Sequence, residues 1–206
     1  AETTPVVDLK TQSRVVLKNL PWEFYWQKLL TPSDFSDASL KPDLVLPATT
    51  IWNRLTISGR QLGSFGFATY RLRFTVSGHS ERLGLRLPAP LSAFRLYING
   101  EKLAEEGSLT TSPENFEARR RTSLHFFRPQ DGNVEIVIQV ANFLLYKGGL
   151  RSEIELGHAP AIQKYGMRYF AIDLFGMGLI FSIMLYHFLL YFLSRKDLAI
   201  LIFAGL

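Results

Sequence analysis

The stretch FATYRLRFTV, residues 67–76, decides the fold of the first part of this chain. Its even positions carry apolar side chains, and its odd positions from Thr69 to Thr75 carry polar ones. This period of two is typical of a strand with one buried face. The same alternation recurs in residues 83–87, 94–98 and 134–140. Half-buried strands are therefore predicted to dominate residues 1–158.

Turn signals separate these strands. The pair Asn99-Gly100 predicts a tight hairpin, because both residue types tolerate a positive φ. Weaker strand patterns occur in residues 14–18, 23–29 and 152–156, and this part of the sequence shows no amphipathic helix of three turns. The sequence thus predicts an all-β fold over residues 1–158, an antiparallel sandwich or jelly roll.

Composition excludes several classes of protein. With 206 residues, of which 47% are hydrophobic and 20% charged, the chain is long and apolar enough to build a core. It has no cysteine, which excludes disulfides, thiolate zinc sites and a cysteine nucleophile. The net charge is +5, but the longest basic run is the arginines of residues 119–121. No nucleic-acid partner is therefore expected.

The last part of the chain is expected to lie in a lipid bilayer rather than in water. Residues 169–193 are almost entirely apolar and would form a helix of about 37 Å, enough to cross a bilayer. Residues 159–168 are expected to be a juxtamembrane linker and residues 194–197 a cytoplasmic hinge. Residues 198–206 resemble the start of a second span. We therefore expect the chain to be the first part of a longer multi-span protein.

Charges near the span indicate its orientation only weakly. Arg195 and Lys196 follow it and favour a cytoplasmic hinge, whereas Lys164 and Arg168 give the other end the same charge. The start AETTP resembles the residues that remain after signal-peptide cleavage. The expected location is a bacterial inner membrane, with the β domain in the periplasm or outside the cell.

Candidate ligand-binding residues lie on the polar side of the strands and on loops. Trp52, expected on a loop near a rim, and Tyr97 offer aromatic faces for a sugar ring. Arg71 and Arg73, together with Arg86 on a neighbouring strand, would form a basic face for a carboxylated or phosphorylated ligand. The alternative is a solvated face balanced by carboxylates, namely Glu81, Glu101 or Glu135. Trp22 and Phe24 are expected in the core.

The segment NFLLYKGGL, residues 142–150, is a second candidate. Asn142 and Lys147 would present polar groups to a ligand beside the Gly148-Gly149 pair. The alternative is a simple tight turn between the last two strands.

No catalytic or metal-binding motif is recognisable. The sequence has no phosphate-binding loop, no serine elbow and no HExxH, and three of its histidines, His79, His125 and His158, do not have metal-ligand spacing. Neither a metal nor a cofactor is expected, and no catalysis is expected within these residues.

Two ionisable residues fall inside the predicted span. Asp173 is near enough to its start to reach the interface, whereas His187 lies about 9 Å of helix rise from its end. An ionisable group at depth usually faces other helices, so a role in transmitting a conformational change is one hypothesis for His187. Simple helix packing is the other.

Several segments together resemble a known family. They are PWEFYWQKLLTPSDF (residues 21–35), GFATYRLRF (66–74), SAFRLYINGEKLAEEG (92–107), IVIQVANF (136–143) and DLFGMGLIFSIMLYHFLLYFLSRKD (173–197). The chain resembles the bacterial seven-transmembrane receptors with diverse intracellular signalling modules. This resemblance implies seven spans and a cytoplasmic output module, such as a histidine kinase, a cyclase or a phosphatase.

The β part has a second, shorter resemblance. Tyr70-Arg71, Asn99-Gly100 and Asn142 occur in the order seen in the galactose-binding-like jelly roll that begins many family 2 glycoside hydrolases. In those enzymes the similar domain is noncatalytic, which implies a binding role.

These observations predict a ligand-sensing extracytoplasmic domain and the first span of a multi-span signalling receptor. The expected partners are a small-molecule or carbohydrate ligand, the lipid bilayer, further transmembrane helices and a cytoplasmic signalling module. A membrane-tethered carbohydrate-binding accessory without signalling is the alternative. A structural anchor that binds no small molecule is a third reading.

Overall fold

A computed structural model describes residues 4–46, 50–77, 81–88, 93–119, 122–150 and 153–194. Within these ranges the chain forms thirteen strands, two short 3-10 helices and one long α-helix. The chain divides into two compact units, and the boundary along the sequence lies between Gln163 and Lys164. All thirteen strands belong to the first unit, which we call the β domain.

The strands are β1 (Val6–Asp8), β2 (Arg14–Val16), β3 (Trp22–Trp26), β4 (Leu44–Leu46), β5 (Thr56–Ile57), β6 (Arg60–Gln61), β7 (Gly66–Ser77), β8 (Leu83–Leu87), β9 (Ala93–Ile98), β10 (Glu101–Glu106), β11 (Ser123–Phe127), β12 (Asn133–Asn142) and β13 (Glu155–His158). The 3-10 helices are Pro32–Ser36 and Trp52–Arg54, and the α-helix is α1 (Ala159–Ser194).

Two sheets form a sandwich. The larger has seven strands, in the order β10-β9-β12-β7-β3-β4, with β1 added in parallel beside the end of β7. The smaller has four antiparallel strands in the order β11-β8-β13-β2, and β5 and β6 form a separate hairpin. The predicted fold class, a mainly antiparallel β-sandwich followed by a helix, is confirmed.

Burial follows the predicted alternation over the second half of β7, whereas Thr69, predicted on the polar side, is fully buried and its hydroxyl is hydrogen-bonded to the backbone of Lys28 and Leu30. In β7 the side chains of Leu72, Phe74 and Val76 are each 1% exposed, while their odd-numbered neighbours face outward. Trp22 and Phe24 are fully buried, as predicted. Both sheets contribute to one core, in which each large apolar side chain adds roughly 1.5–3 kcal/mol of transfer free energy.

The Asn99-Gly100 hairpin is also confirmed. Asn99 has φ 49° and Gly100 has φ 85°, the two positive values of a type I′ turn. The turn joins β9 and β10, whose antiparallel register shifts at a bulge between Lys102 and Ala104.

The last strand of the β domain continues directly into the helix. Residues 159–168, predicted to be a juxtamembrane linker, form the start of α1, which begins at Ala159 directly after β13. Pro160 fits there, since the first helical turn has no partner for a backbone N–H. In this turn Ile162 is buried against Gly84, where an added Cβ would lie 2.8 Å from the Cβ of Ile162. Arg195, Lys196 and residues 198–206 lie outside the described residues.

Candidate functional site

The outer face of the larger sheet carries a network of ion pairs. Nη2 of Arg71 lies 2.6 Å from Oε1 of Glu135, and Nη1 lies 3.4 Å from Oε2 of Glu23. Nη2 of Arg73 lies 2.9 Å from Oε1 of Glu23. The predicted basic face is therefore neutralised. Glu135 was among the expected balancing carboxylates, whereas Glu23 was not, because its pairing with β7 depends on strand order.

Arg71 is part of the framework rather than an open ligand contact. Its side chain is 14% exposed, and its Cζ lies 4.2 Å from the centre of the Phe35 ring. Desolvation alone would lower the pKa of Arg71, but the hydrogen bond and charge of Glu135 outweigh it, and the pKa is raised. Burial and the hydrogen bond to Glu23 raise the pKa of the neighbouring Tyr25.

The expected place of Arg86 beside Arg71 and Arg73 is wrong. Arg86 lies on β8 in the smaller sheet, where its Nη1 is 3.3 Å from Oε1 of Glu155. The sequence could not assign strands to sheets, because all the strands share the same alternation.

Arg73 remains open and lines a cleft. Its side chain is 54% exposed. The cleft has a volume of about 790 Å³ and lies where the 3-10 helix Pro32–Ser36, the β9–β10 turn and the β11–β12 turn meet. Its polar lining comprises Thr4, Ser33, Arg73, Asn99, Gln130, Asp131, Asn133 and Glu135. The cleft therefore brings together a cation, two carboxylates, three amides and two hydroxyls.

Hydrogen bonds hold the walls of this cleft in place. Oδ1 of Asn99 accepts from the backbone N–H of Glu135 at 2.8 Å. The hydroxyl of Thr75 donates to Oδ1 of Asn133 at 3.3 Å. Tyr97, another predicted ligand residue, does not line the cleft. It is half-buried on the outer face of β9, in register with Val137 and Lys102.

The other predicted residues meet at one end of the β domain, which we call the tip and define as residues 50–66 and 142–150. The expectation that Trp52 lies on a rim is wrong, because its side chain is fully buried. Its Nε1 donates to the carbonyl of Ser64 at 3.1 Å, and its ring packs edge-on to Trp26 with centroids 5.2 Å apart. Gly148 lies so close to the Trp52 indole that a Cβ would overlap it.

Asn142 is a brace in the tip rather than a ligand contact. It is fully buried, and its Nδ2 donates to the carbonyls of Ser64 at 2.8 Å and Leu145 at 2.7 Å. Its Oδ1 accepts from the N–H of Leu145 at 3.0 Å. Lys147 is half-buried, with Nζ 5.1 Å from the centre of the Tyr146 ring. The glycine pair thus forms a packed turn, not a flexible one.

Asn53 completes this brace, although no pattern in the sequence marks it. Its Nδ2 donates to the carbonyl of Tyr146 at 3.0 Å, and its Oδ1 accepts from the N–H of Gly148 at 3.0 Å. These partners are 93 and 95 residues away along the chain, a separation that local pattern reading cannot bridge.

The second unit contains the two ionisable residues predicted in the span. Asp173 is exposed on α1, and Nδ1 of His187 lies 2.9 Å from the carbonyl oxygen of Ile183, one turn earlier in the same helix. Residues 159–193 are long and apolar enough to cross a membrane, and no residue of their most apolar 18-residue window is buried. Among the described residues, no group of three His, Asp or Glu side chains is placed to hold a metal ion.

Comparison with known proteins identifies the fold. No family model and no curated protein matches the chain. A structure of β-glucuronidase from Ruminococcus gnavus in complex with C6-substituted uronic isofagomine matches 77% of this chain with 12% identity and a TM-score of 0.54. A family 2 (GH2) β-galacturonidase from Eisenbergiella tayi bound to galacturonate matches 70% with 11% identity and a TM-score of 0.50.

The chain spans 31% and 24% of the length of these two enzymes. At such low identity the likeness concerns the fold alone. The fold of the β domain is thus similar to a β-sandwich of these two glycosidases, which agrees with the galactose-binding-like prediction.

Proposed function

We propose that this chain is the ligand-sensing domain and first span of a multi-span bacterial signal-transduction receptor, and that its ligand is a carbohydrate. The observation that carries the proposal is a polar cleft on a β domain whose last strand continues directly into a helix able to cross a membrane. The β domain would lie in the periplasm or outside the cell, and the helix would anchor it.

The chemistry of the cleft suits a sugar. Hydroxyl groups both donate and accept hydrogen bonds, and the amides and carboxylates of the cleft offer both kinds of partner. Its volume of about 790 Å³ falls in the usual range of small-molecule sites. The exposed guanidinium of Arg73 would pair with the carboxylate of a uronic acid, and uronic ligands are named for the two glycosidases of similar fold.

Coupling to the membrane would use β13. This strand is hydrogen-bonded on both sides, to β8 and β2, and α1 begins at the next residue. A ligand transmits a signal only if its affinity differs between two receptor states. A shift of the sandwich on binding would therefore have to reach α1 through β13.

Calorimetry on the full chain in detergent would test the ligand proposal, with glucose, galactose, glucuronate and galacturonate as probes. We expect at least one sugar to bind, and Arg73→Ala or Asp131→Asn to weaken binding about tenfold. Arg60→Ala, an exposed arginine at the tip, is the matched control and should leave the affinity unchanged. The ligand proposal fails if none of the four sugars binds, or if Arg60→Ala weakens binding as much as Arg73→Ala.

The receptor proposal has a separate test. The coding sequence beyond Leu206 should contain about six further spans and a cytoplasmic output module. A frame that closes after one or two spans would contradict the receptor and favour a tethered binding module.

A further inference from the structure

The tip exposes large apolar side chains. Phe65 is 58% exposed, Leu144 65% and Tyr146 73%. They come from two adjacent loops, because the carbonyl of Tyr146 accepts a hydrogen bond from the Ser64 hydroxyl at 3.0 Å. Neighbouring exposed apolar side chains on a folded domain commonly mark an interaction surface.

Cations surround these side chains. The two segments of the tip contain Arg54, Arg60 and Lys147 but no aspartate or glutamate. An adjacent loop reaches the tip through the contact of Phe116 with Phe143, at 5.5 Å between ring centroids, and it carries Glu114, Glu117 and Arg119. These three segments carry four cations against two carboxylates, so the surface that they form is positive, which favours an anionic partner.

The tip is held rigid. Asn53, Asn142 and Ser64 fix the backbone of residues 142–148 with hydrogen bonds of 2.7 to 3.0 Å, and Trp52 fills the space beneath. Its exposed side chains are therefore presented by a fixed backbone. A surface fixed before binding loses little conformational entropy on association, which is what a docking site requires.

The position of the tip bears on its partner. It adjoins Gly66 at the start of β7, whereas the chain leaves the β domain near the other end of that strand, where Nε2 of His158 donates to the carbonyl of Leu9. The twelve residues of β7 separate the two ends by about 36 Å. The tip is thus remote from the point at which the chain enters α1.

We propose that the tip docks an acidic segment of another protein that carries apolar side chains. A sugar would stack on an aromatic ring but would leave Leu144 uncovered. The distance of the tip from the start of α1 favours a partner outside the membrane. A polypeptide, unlike a sugar, supplies both carboxylates and aliphatic groups to match the cations and the apolar trio. Aromatic and apolar anchors with a charged rim are the usual composition of such interfaces.

Fluorescence anisotropy would test this on the full chain in zwitterionic nanodiscs. The probe is a labelled peptide of about 12 residues that repeats Glu-Glu-Leu-Phe, and its counterpart repeats Lys-Lys-Leu-Phe. We expect only the acidic peptide to bind. Its Kd should rise about tenfold in Lys147→Glu and in the double variant Leu144→Ser with Tyr146→Ser. The matched controls, Lys10→Glu and Val45→Ser, change exposed residues away from the tip and should have no effect; Lys10 follows β1, which pairs with the far end of β7.

Two further probes separate the alternatives. Polygalacturonate represents an acidic glycan, and phosphatidylglycerol vesicles represent an anionic membrane. If either binds in a way that Lys147→Glu abolishes while the acidic peptide does not bind at about 1 mM, the protein-docking proposal is overturned. Peptide binding that is the same in tip and control variants overturns it as well. An unchanged thermal unfolding temperature for each variant would show that a loss of binding is not caused by a loss of fold.

Discussion

The two ends of the β domain are built differently. At the tip, buried polar side chains brace the loops while apolar side chains are exposed and the charge is positive. At the opposite end, which we call the junction end, β13 passes into α1, a carboxylate is buried between arginines, and the cleft mixes both signs of charge. The tip takes its exposed groups from loops, whereas the junction end combines strand residues such as Arg73 and Glu135 with turn residues such as Asp131, so one sandwich offers two chemistries.

The largest expected effect breaks the tip. Trp52→Ala would leave a cavity beneath Gly148 and remove the hydrogen bond to Ser64, so we expect a loss of about 3–5 kcal/mol in the free energy of unfolding. Tyr146→Ala is the matched control, since its ring is 73% exposed, and it should cost less than about 0.5 kcal/mol. Urea denaturation measures both. Equal effects would show that Trp52 does not support the tip.

A comparable effect is expected at the junction end. Glu155 is 8% exposed and lies 2.9 Å from Arg14 and 3.3 Å from Arg86. Glu155→Gln would remove the largely buried carboxylate that both arginines contact, and it should cost about 2–3 kcal/mol. Glu153→Gln breaks an exposed pair with Lys18, whose side chains are 47% and 48% exposed, and should cost about 1 kcal/mol or less. A similar cost for both substitutions would contradict a structural role for the buried pair.

A smaller effect tests how α1 is seated. Gly84→Ala would place a Cβ against Ile162 and should destabilise the β domain by about 1–3 kcal/mol. Ile162→Ala would remove the γ-carbon contacts at 3.1 and 3.2 Å but keep the Cβ at 2.8 Å, so the losses of the two substitutions should be less than additive in the double variant. Hydrogen exchange of residues 159–163 reports the seating directly. Additive losses in the double variant would show that the two side chains do not interact.

The smallest expected effect is a dependence of stability on pH, and it arises at neither the tip nor the junction end. Burial lowers the pKa of His125 on β11, so the unfolded chain binds the proton more tightly than the folded domain does. Stability should therefore fall as the pH drops below about 6.5, the ordinary histidine value, and should level off below the lowered pKa. His125→Gln should flatten this part of the profile. Thermal unfolding between pH 5 and 8 would reveal it, and an unchanged profile would contradict the assignment.

Most of the sandwich could be predicted because burial on one face of a strand leaves a period of two in the sequence. β7, β8, β9 and β12 are clear for that reason, and Asn99-Gly100 marks a turn that needs two positive φ values. Short strands such as β4, β5 and β6 have too few residues to show a period, and the sequence did not indicate them.

The ligand residues were less predictable. Six were proposed in the β domain, and among the described residues only Arg73 lines the cleft. Trp52 and Asn142 are buried supports, and Lys147 lies on the tip. The sequence around a loop tryptophan is the same whether the loop folds inward or outward. Residue type therefore predicts the chemistry of the side chain but not how deeply it is buried.

The sequence by itself determined the alternation of the main strands, one hairpin and the apolar helix, because each depends on residues close together along the chain. Tertiary structure alone decided that Glu23 neutralises Arg71 and Arg73, that Arg86 pairs in the other sheet, and that Asn53 braces a loop more than 90 residues away. Those contacts depend on strand order and loop packing, and the free energy that fixes them comes from groups distant in sequence that meet only in the folded domain.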